Sequence, residues 1–390
     1  MLLDSHFPPD VRVENEAYSL INAGHEVHIL CYSFDKKEQS SVYNGIHVHR
    51  FYISRQVSKK MLGLINLMPL YKNTWKKQID KILASADIDA VHFHDLPICI
   101  LLSYVKKNFK KKCVADMHEN YPYLVASQGY MNKWWSKYIF PLGKWFENEK
   151  LWLNEADAVV CVADEMKTRL KEIIDNKIEV YTVPNTFNFN TFLINRKSVS
   201  GLKEKVAGKF VVSYIGGIDA VRGVNYLIDA AKILKSKIDN LLVLVVGGGS
   251  ILPDLMQHAK SQGVEDIVVF EGHKPANQLV SFIGATDVCI IPHVRSVQTD
   301  NSSPNKLFQY MYFGKPIISS NCTSIEKIIR EENCGLIFED RNAEELAKQI
   351  QILYENGMLK QQMGENGKNA VMQKYNWDAT VKPLLNLYNQ

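Results

Sequence analysis

Ser302-Ser303-Pro304-Asn305-Lys306-Leu307-Phe308-Gln309-Tyr310-Met311-Tyr312-Phe313-Gly314-Lys315-Pro316-Ile317-Ile318-Ser319-Ser320 reads as a helix start followed by a buried strand. Ser302 and Ser303 are N-cap residue types and Pro304 suits a first turn. Leu307, Phe308, Met311 and Tyr312 then recur at helical spacing until Gly314 stops the helix. The amides at such a start lack helical partners and carry about half a positive charge, which suits a diphosphate. By local physics alone the same pattern also describes a capped core helix leading into a strand.

Outward from this stretch, short β-branched runs alternate with helical patterns. Upstream they are Phe210 to Ile215, Leu241 to Val246, Ile267 to Phe270 and Val288 to Ile291, and Gly335 to Phe338 follows. The first half repeats the rhythm in Val27 to Tyr32, Ile46 to Tyr52, Ala90 to His94, Lys112 to Met117, Ala158 to Val162 and Ile178 to Val183. Such alternation means βαβ units and parallel sheets. The polar stretch Thr186 to Ser200 reads as a connection, so two α/β domains are expected with ligands at the carboxyl ends of the strands. Met1-Leu2-Leu3-Asp4 leaves room only for an abbreviated first strand or marks a truncated start.

A chain of 390 residues accommodates two domains, each of about 150–200 residues. No apolar run is long enough to span a bilayer, and the start lacks a charged and apolar leader, so a cytoplasmic protein is expected. The seven cysteines are scattered without a CxxC pair, which favours reduced core residues over disulfides or structural zinc. A net charge of +4 makes no demand for nucleic acid. The basic residues are nevertheless clustered. Arg55 to Lys81 holds seven of them against the single acid Asp80, interleaved with Met61, Leu62, Leu67, Met68, Leu70 and Trp75, and Tyr130 to Trp152 adds four tryptophans. Peripheral contact with an anionic membrane and packing of these aromatics on the first domain are both open readings.

Ser303 to Pro316 resembles, almost residue for residue, the SPNKLFEYMAAGKPV segments of the retaining GT-B glycosyltransferases of family 4. Phe7 to Glu14 is similar to the PPDxRVE segment of many of these transferases. The resemblance covers essentially the whole chain and implies two Rossmann-like, doubly wound domains facing a central cleft. Their expected bounds are 1–185 on the acceptor side and 186–373 on the donor side, with 374–390, entered through Tyr375-Asn376-Trp377-Asp378, crossing back. It implies transfer of a sugar from a nucleotide-diphosphate donor to a saccharide acceptor with retention of configuration. Neither a cofactor nor a metal is expected.

Residue by residue, the resemblance assigns the donor diphosphate to Ser302, Ser303, Pro304 and Asn305, with Arg222 and Lys306 neutralising the leaving group. It places the glycine turns at Gly216, Gly217 and Gly248, and His273, beside the nucleotide. His118 is expected beside the transferred sugar, with Arg12, His94 and Glu119 on the acceptor side and Arg12 available to an anionic group. Three positions depart from the family pattern: Gln309 stands where a Glu binds the ribose, Asn301 stands where a looser partner acid falls eight residues upstream, and Gly217 stands where a second cation is usual. An amide accepts one hydroxyl hydrogen bond where a carboxylate accepts two, so a degenerate nucleotide-sugar-binding protein is the competing expectation. His92, His94, Asp95, Asp116, His118 and Glu119 lie close in sequence but lack the spacing of a metal motif.

Overall fold

The computed structural model describes residues 1–35, 40–127, 141–186, 188 and 197–389. Most of the expected connection Thr186 to Ser200, together with Trp134 and Trp135, lies outside the described residues. The chain forms two compact units, Met1–Pro184 with Val381–Gln390, and Asn185–Thr380.

The first unit is an eight-stranded sheet in the order β3-β4-β2-β1-β5-β6-β7-β8. Its strands are β1 (Leu2–His6), β2 (His28–Ser33), β3 (Ser40–Tyr43), β4 (Ile46–Tyr52), β5 (Ala90–His94), β6 (Lys112–Met117), β7 (Ala158–Cys161) and β8 (Glu179–Thr182). All neighbours pair in parallel except β3 and β4, an antiparallel hairpin closed by Asn44 (φ 47°) and Gly45 (φ 86°). Helix α1 (Val11–Asn22) is capped by Asp10, whose side chain accepts from the Val13 amide at 3.1 Å. Val13, Ala17 and Leu20, at helical spacing, bury against β2 and β4 residues. Helices α2 (Arg55–Gly63) and α3 (Leu70–Ser85) follow β4. α3 drives Tyr71, Trp75 and Ile79 into the core on the other face.

Trp145 and Trp152 are buried in that same core, which answers the basic, tryptophan-rich stretch for those two rings in favour of packing. All seven cysteines are free and buried. No helix among the described residues is long and apolar enough to cross a membrane.

The second unit is a six-stranded parallel sheet, β11-β10-β9-β12-β13-β14. It comprises β9 (Phe210–Ile215), β10 (Leu241–Val246), β11 (Val268–Gly272), β12 (Val288–Ile291), β13 (Ile317–Ser320) and β14 (Gly335–Phe338). Counted within the unit, this is the order 3-2-1-4-5-6 of dinucleotide-binding sheets, with the switch point between β9 and β12. In the first unit the corresponding reversal falls between β1 and β5. Polar residues just beyond the carboxyl ends of these strand pairs are therefore the places to look for a ligand.

Candidate active site

In the first unit, β5 and β6 end in His94-Asp95 and Asp116-Met117-His118, side by side in register. Asp95 adopts φ 70°, a left-handed conformation that a non-glycine residue holds only where its surroundings enforce it. Its carboxylate accepts from the His118 amide at 3.3 Å and stands 3.6 Å from His118 Nδ1. On the other side of the ring, His118 Nε2 donates to Asp116 Oδ2 at 3.0 Å. Burial pulls the His118 pKa down, but Asp95 and Asp116 outweigh it and hold it up at about 10. His118 is thus an imidazolium at neutral pH.

His94 Nδ1 lies 3.1 Å from His118 Nε2, and burial together with His92 keeps His94 neutral. Its Nδ1 also stands 3.4 Å from Asp116 Oδ2, so the ring faces both His118 and the buried carboxylate. Glu119 lies half-buried in the bend that follows.

Arg12, expected to be available to an anionic group, instead turns inward. Its Nε and Nη2 donate to Asp116 at 3.0 and 2.7 Å, and Nη1 donates to the Val183 carbonyl at 2.8 Å. The reason is electrostatic: Asp116 is fully buried and needs a bidentate cation beside it. Arg12 and His118 together overcome the effect of burial and hold the Asp116 carboxyl well below the usual carboxylate range. Glu16, one helical turn on from Arg12 and equally buried, is pushed well above its usual range by burial and by Asp116.

Glu16, His92, His94 and Asp116 each offer a ligand atom within 4.8 Å of the others, as a metal would require. The Arg12 guanidinium, however, already sits 3.1 Å from Glu16 and 2.7 Å from Asp116, so the negative charge a divalent ion would need is neutralised. A second such group, Glu26, His28 and His47, is solvent-facing. A cavity of about 450 Å³ opens at the amino ends of β1, β2 and β5 and reaches His92, whose ring stacks on His94 at 4.5 Å.

In the second unit, the helix Asn305–Tyr312 buries Leu307, Phe308, Tyr310 and Met311 and leaves Asn305, Lys306 and Gln309 on its less buried face. Tyr310 fixes it to the sheet: its hydroxyl accepts from the Ile215 amide at 3.1 Å at the carboxyl end of β9. Ser302 and Ser303, expected as caps, do not cap; Pro304 holds the cap position. The short helix Val297–Asp300 immediately upstream draws Ser302 into its own last turn, where Ser302 Oγ donates to the Thr299 carbonyl at 3.0 Å. Ser303 Oγ is buried with no partner among the described residues.

Lys306 extends over the Tyr214 ring, with Nζ 4.0 Å from the centroid. That Nζ is shielded from solvent and has no hydrogen-bond partner among the described residues. Burial, reinforced by Arg222, holds its pKa well below the usual lysine range. Arg222 projects from the turn after β9, with Nε 3.5 Å from Asp219 and Nη1 3.4 Å from His293 Nε2. His293, fully buried beyond the end of β12, has an Nδ1 without a partner among the described residues. Burial, then Lys306 and Arg222, keep it neutral.

The glycine turns let backbones approach. A Cβ on Gly247 would stand 1.8 Å from the Gly216 carbonyl oxygen, and one on Gly216 would stand 2.5 Å from Lys306 Nζ. Gly217 accepts the Tyr214 hydroxyl at 2.5 Å, and the exposed His273 lies against Gly248. Arg222, Lys306, Ser303 and His293 thus gather at the switch point between β9 and β12. They present the Arg222 guanidinium, the buried Lys306 amine and orphaned polar atoms to whatever binds there. Asp95, Asp116, His293 and Tyr214 were not singled out as site residues from sequence; only Asp95 and Asp116, next to histidines at strand ends, carried a local signal.

A chain of two Rossmann-like units, each with a polar cluster at its switch point, has the GT-B fold of glycosyltransferases. Residues 10–189 match Glycosyltransferase Family 4 and residues 197–370 match Glycosyl transferases group 1, so the chain is built of group 1, family 4-type glycosyltransferase domains. It is similar to an uncharacterised glycosyltransferase of Methanocaldococcus jannaschii, 25% identical over 388 residues, covering 95% of this chain and 91% of that protein. Among solved structures, sucrose-phosphate synthase from Thermosynechococcus elongatus superposes with a TM-score of 0.77 at 18% identity, covering 99% of this chain and 94% of its own. Anabaena HepE in complex with UDP gives 0.73 at 14% identity, covering 100% and 98%.

Proposed function

We propose that this glycosyltransferase moves a hexosyl or N-acetylhexosaminyl group from a nucleoside-diphosphate sugar to a saccharide acceptor with retention of configuration. The observation that carries the proposal is Lys306, an amine held without partner or solvent beside Arg222 and the first-turn amides of the helix Asn305–Tyr312. A diphosphate bound there restores the lysine's charge and supplies its missing hydrogen bonds. As the bond from the anomeric carbon to the diphosphate breaks, negative charge builds on the leaving phosphate. Arg222, Lys306 and the amides are aimed where it develops, so the reaction needs no bound cation. His118 supplies a charged donor and Asp95 a carboxylate acceptor to sugar hydroxyls in the first unit. UDP is the nucleotide to test first, because the related Anabaena structure holds it.

The acceptor we propose is a lipid-linked saccharide of surface polysaccharide or glycan synthesis, met at the cytoplasmic face of the membrane. A second reading, a degenerate nucleotide-sugar-binding protein, is favoured by one observation: the ribose-side position holds Gln309. Mass-spectrometric detection of transfer or donor hydrolysis across UDP-, GDP- and dTDP-sugars, for wild type and Gln309→Glu, decides between them. Wild-type turnover supports transfer. A silent wild type with an active Glu variant supports the binding protein.

A further inference from the structure

Between α2 and α3 the chain exposes four consecutive apolar residues, Leu67, Met68, Pro69 and Leu70, with Leu67 54%, Met68 49% and Leu70 52% accessible. Elsewhere among the described residues, large exposed apolar side chains stand apart in sequence. The knuckle is firmly underpinned. Just before it, Ile65 is buried and Asn66 accepts a hydrogen bond from Asn148 at 2.6 Å; just after it, Tyr71 is buried and donates to Asp4 at 3.1 Å. The fold therefore holds these side chains out in water although their neighbours are packed, which is the mark of a surface awaiting a partner.

Its surroundings are cationic. From Arg55 to Ile79 there is no acidic residue, and Lys59, Lys60 and Lys77 are exposed without an ion pair among the described residues. Helix α2 buries only Met61 and shows Arg55, Val57, Lys59 and Lys60 to solvent. An apolar tip framed by lysines fits one environment, the headgroup and acyl boundary of an anionic bilayer. Tyr71 ties the knuckle to Asp4 on β1, beside Asp95, so a bilayer engaged here lies near the residues assigned to the acceptor.

We infer that Leu67-Met68-Pro69-Leu70, with Lys59 and Lys60, is a docking element that inserts into an anionic lipid surface. The inference deepens the lipid-linked acceptor reading, but its test uses neither donor nor acceptor, so either can fail alone. The full chain is co-sedimented with vesicles of phosphatidylcholine alone and with about one-third phosphatidylglycerol. Binding is expected on the anionic vesicles. Since a basic residue near the surface is worth about fivefold in partitioning, Lys59→Glu with Lys60→Glu lowers it by more than about 25-fold. Leu67→Ser, Met68→Ser and Leu70→Ser together lower it about tenfold or more.

A fluorophore on Met68→Cys, selective because the native cysteines are buried, shifts to the blue on vesicle binding. Three results overturn the inference: no binding to anionic vesicles, binding unchanged by the serine variant, or wild-type dimers that the serine variant dissolves, which would make a second copy the occupant. All substituted positions are exposed, and an unchanged thermal melt shows that the variants fold.

Discussion

Replacing Asp116 by Asn should be among the most damaging single changes to the first unit. The buried carboxylate accepts from Arg12 at 3.0 and 2.7 Å and from His118 at 3.0 Å, so the substitution leaves a buried guanidinium without its bidentate partner. Hydrogen bonds to charged groups are each worth about 1.5–3 kcal/mol. Glu16, 3.1 Å from Arg12 Nε and pushed above its usual range by burial and by Asp116, loses that carboxylate neighbour in the variant and recovers part of the loss. A net cost of about 3–5 kcal/mol follows, the range for breaking one side of a buried ion pair. For a unit of this size that lowers the melting temperature by about 6–20 °C. Urea unfolding by tryptophan fluorescence reads it directly, because Trp75, Trp145 and Trp152 all lie in this core. The double variant Arg12→Met, Asp116→Leu removes both charges and should be less damaging than Asp116→Asn. A cost for Asp116→Asn below about 1 kcal/mol, or a double variant as costly as the two single changes added, would refute the electrostatic account of this cluster.

The His118 pKa gives a signed pH dependence. Folded, it titrates near 10, above its unfolded value of 6.5, so its contribution is complete below pH 6.5 and disappears as pH rises through 10. The stability lost in His118→Gln should therefore be largest near pH 6 and shrink toward pH 10 in urea titrations at each pH. Lys306→Met removes a buried, unpaired amine, so it should raise stability by about 1 kcal/mol while weakening nucleoside-diphosphate binding in calorimetry by about tenfold or more. Equal effects of one sign on both would sink that assignment. Gly216→Ala places a methyl group 2.5 Å from Lys306 Nζ at a φ of +149°, and should lower both stability and nucleotide affinity.

Much of the architecture was legible because it rests on periodicity. β4, β5, β6, β9, β10, β12 and β14 fall on the residues expected from their β-branched runs, and α1 is capped by the expected Asp10. β3 is absent from the sequence expectations, although Asn44-Gly45 is a two-residue hairpin signal that required no tertiary information. The site was legible in its residue types and less so in its orientations. Nothing local could show that Arg12 would be drawn inward, since its partner Asp116 lies 104 residues away. The caps failed for a similar reason: a four-residue helix upstream, too short to leave a periodic trace, claims Ser302. His293 and Asp95 owe their roles to strand order, which brings β12 beside β9 and β5 beside β1.

The helix Lys382–Tyr388 belongs to the first unit, where Lys112 donates to the Leu387 carbonyl at 2.5 Å and the Tyr388 hydroxyl meets His92 Nδ1 at 2.7 Å. A ribosome synthesising this chain therefore releases the second unit, continuous from Asn185 to Thr380, before the first has received its last helix. The first unit, although residues 1–184 emerge first, is completed only after the whole of the second has been made. Until residues 381–389 emerge, the first unit must wait with His92 and its neighbours uncovered, the interval in which a holdase would find a client and a protease a substrate.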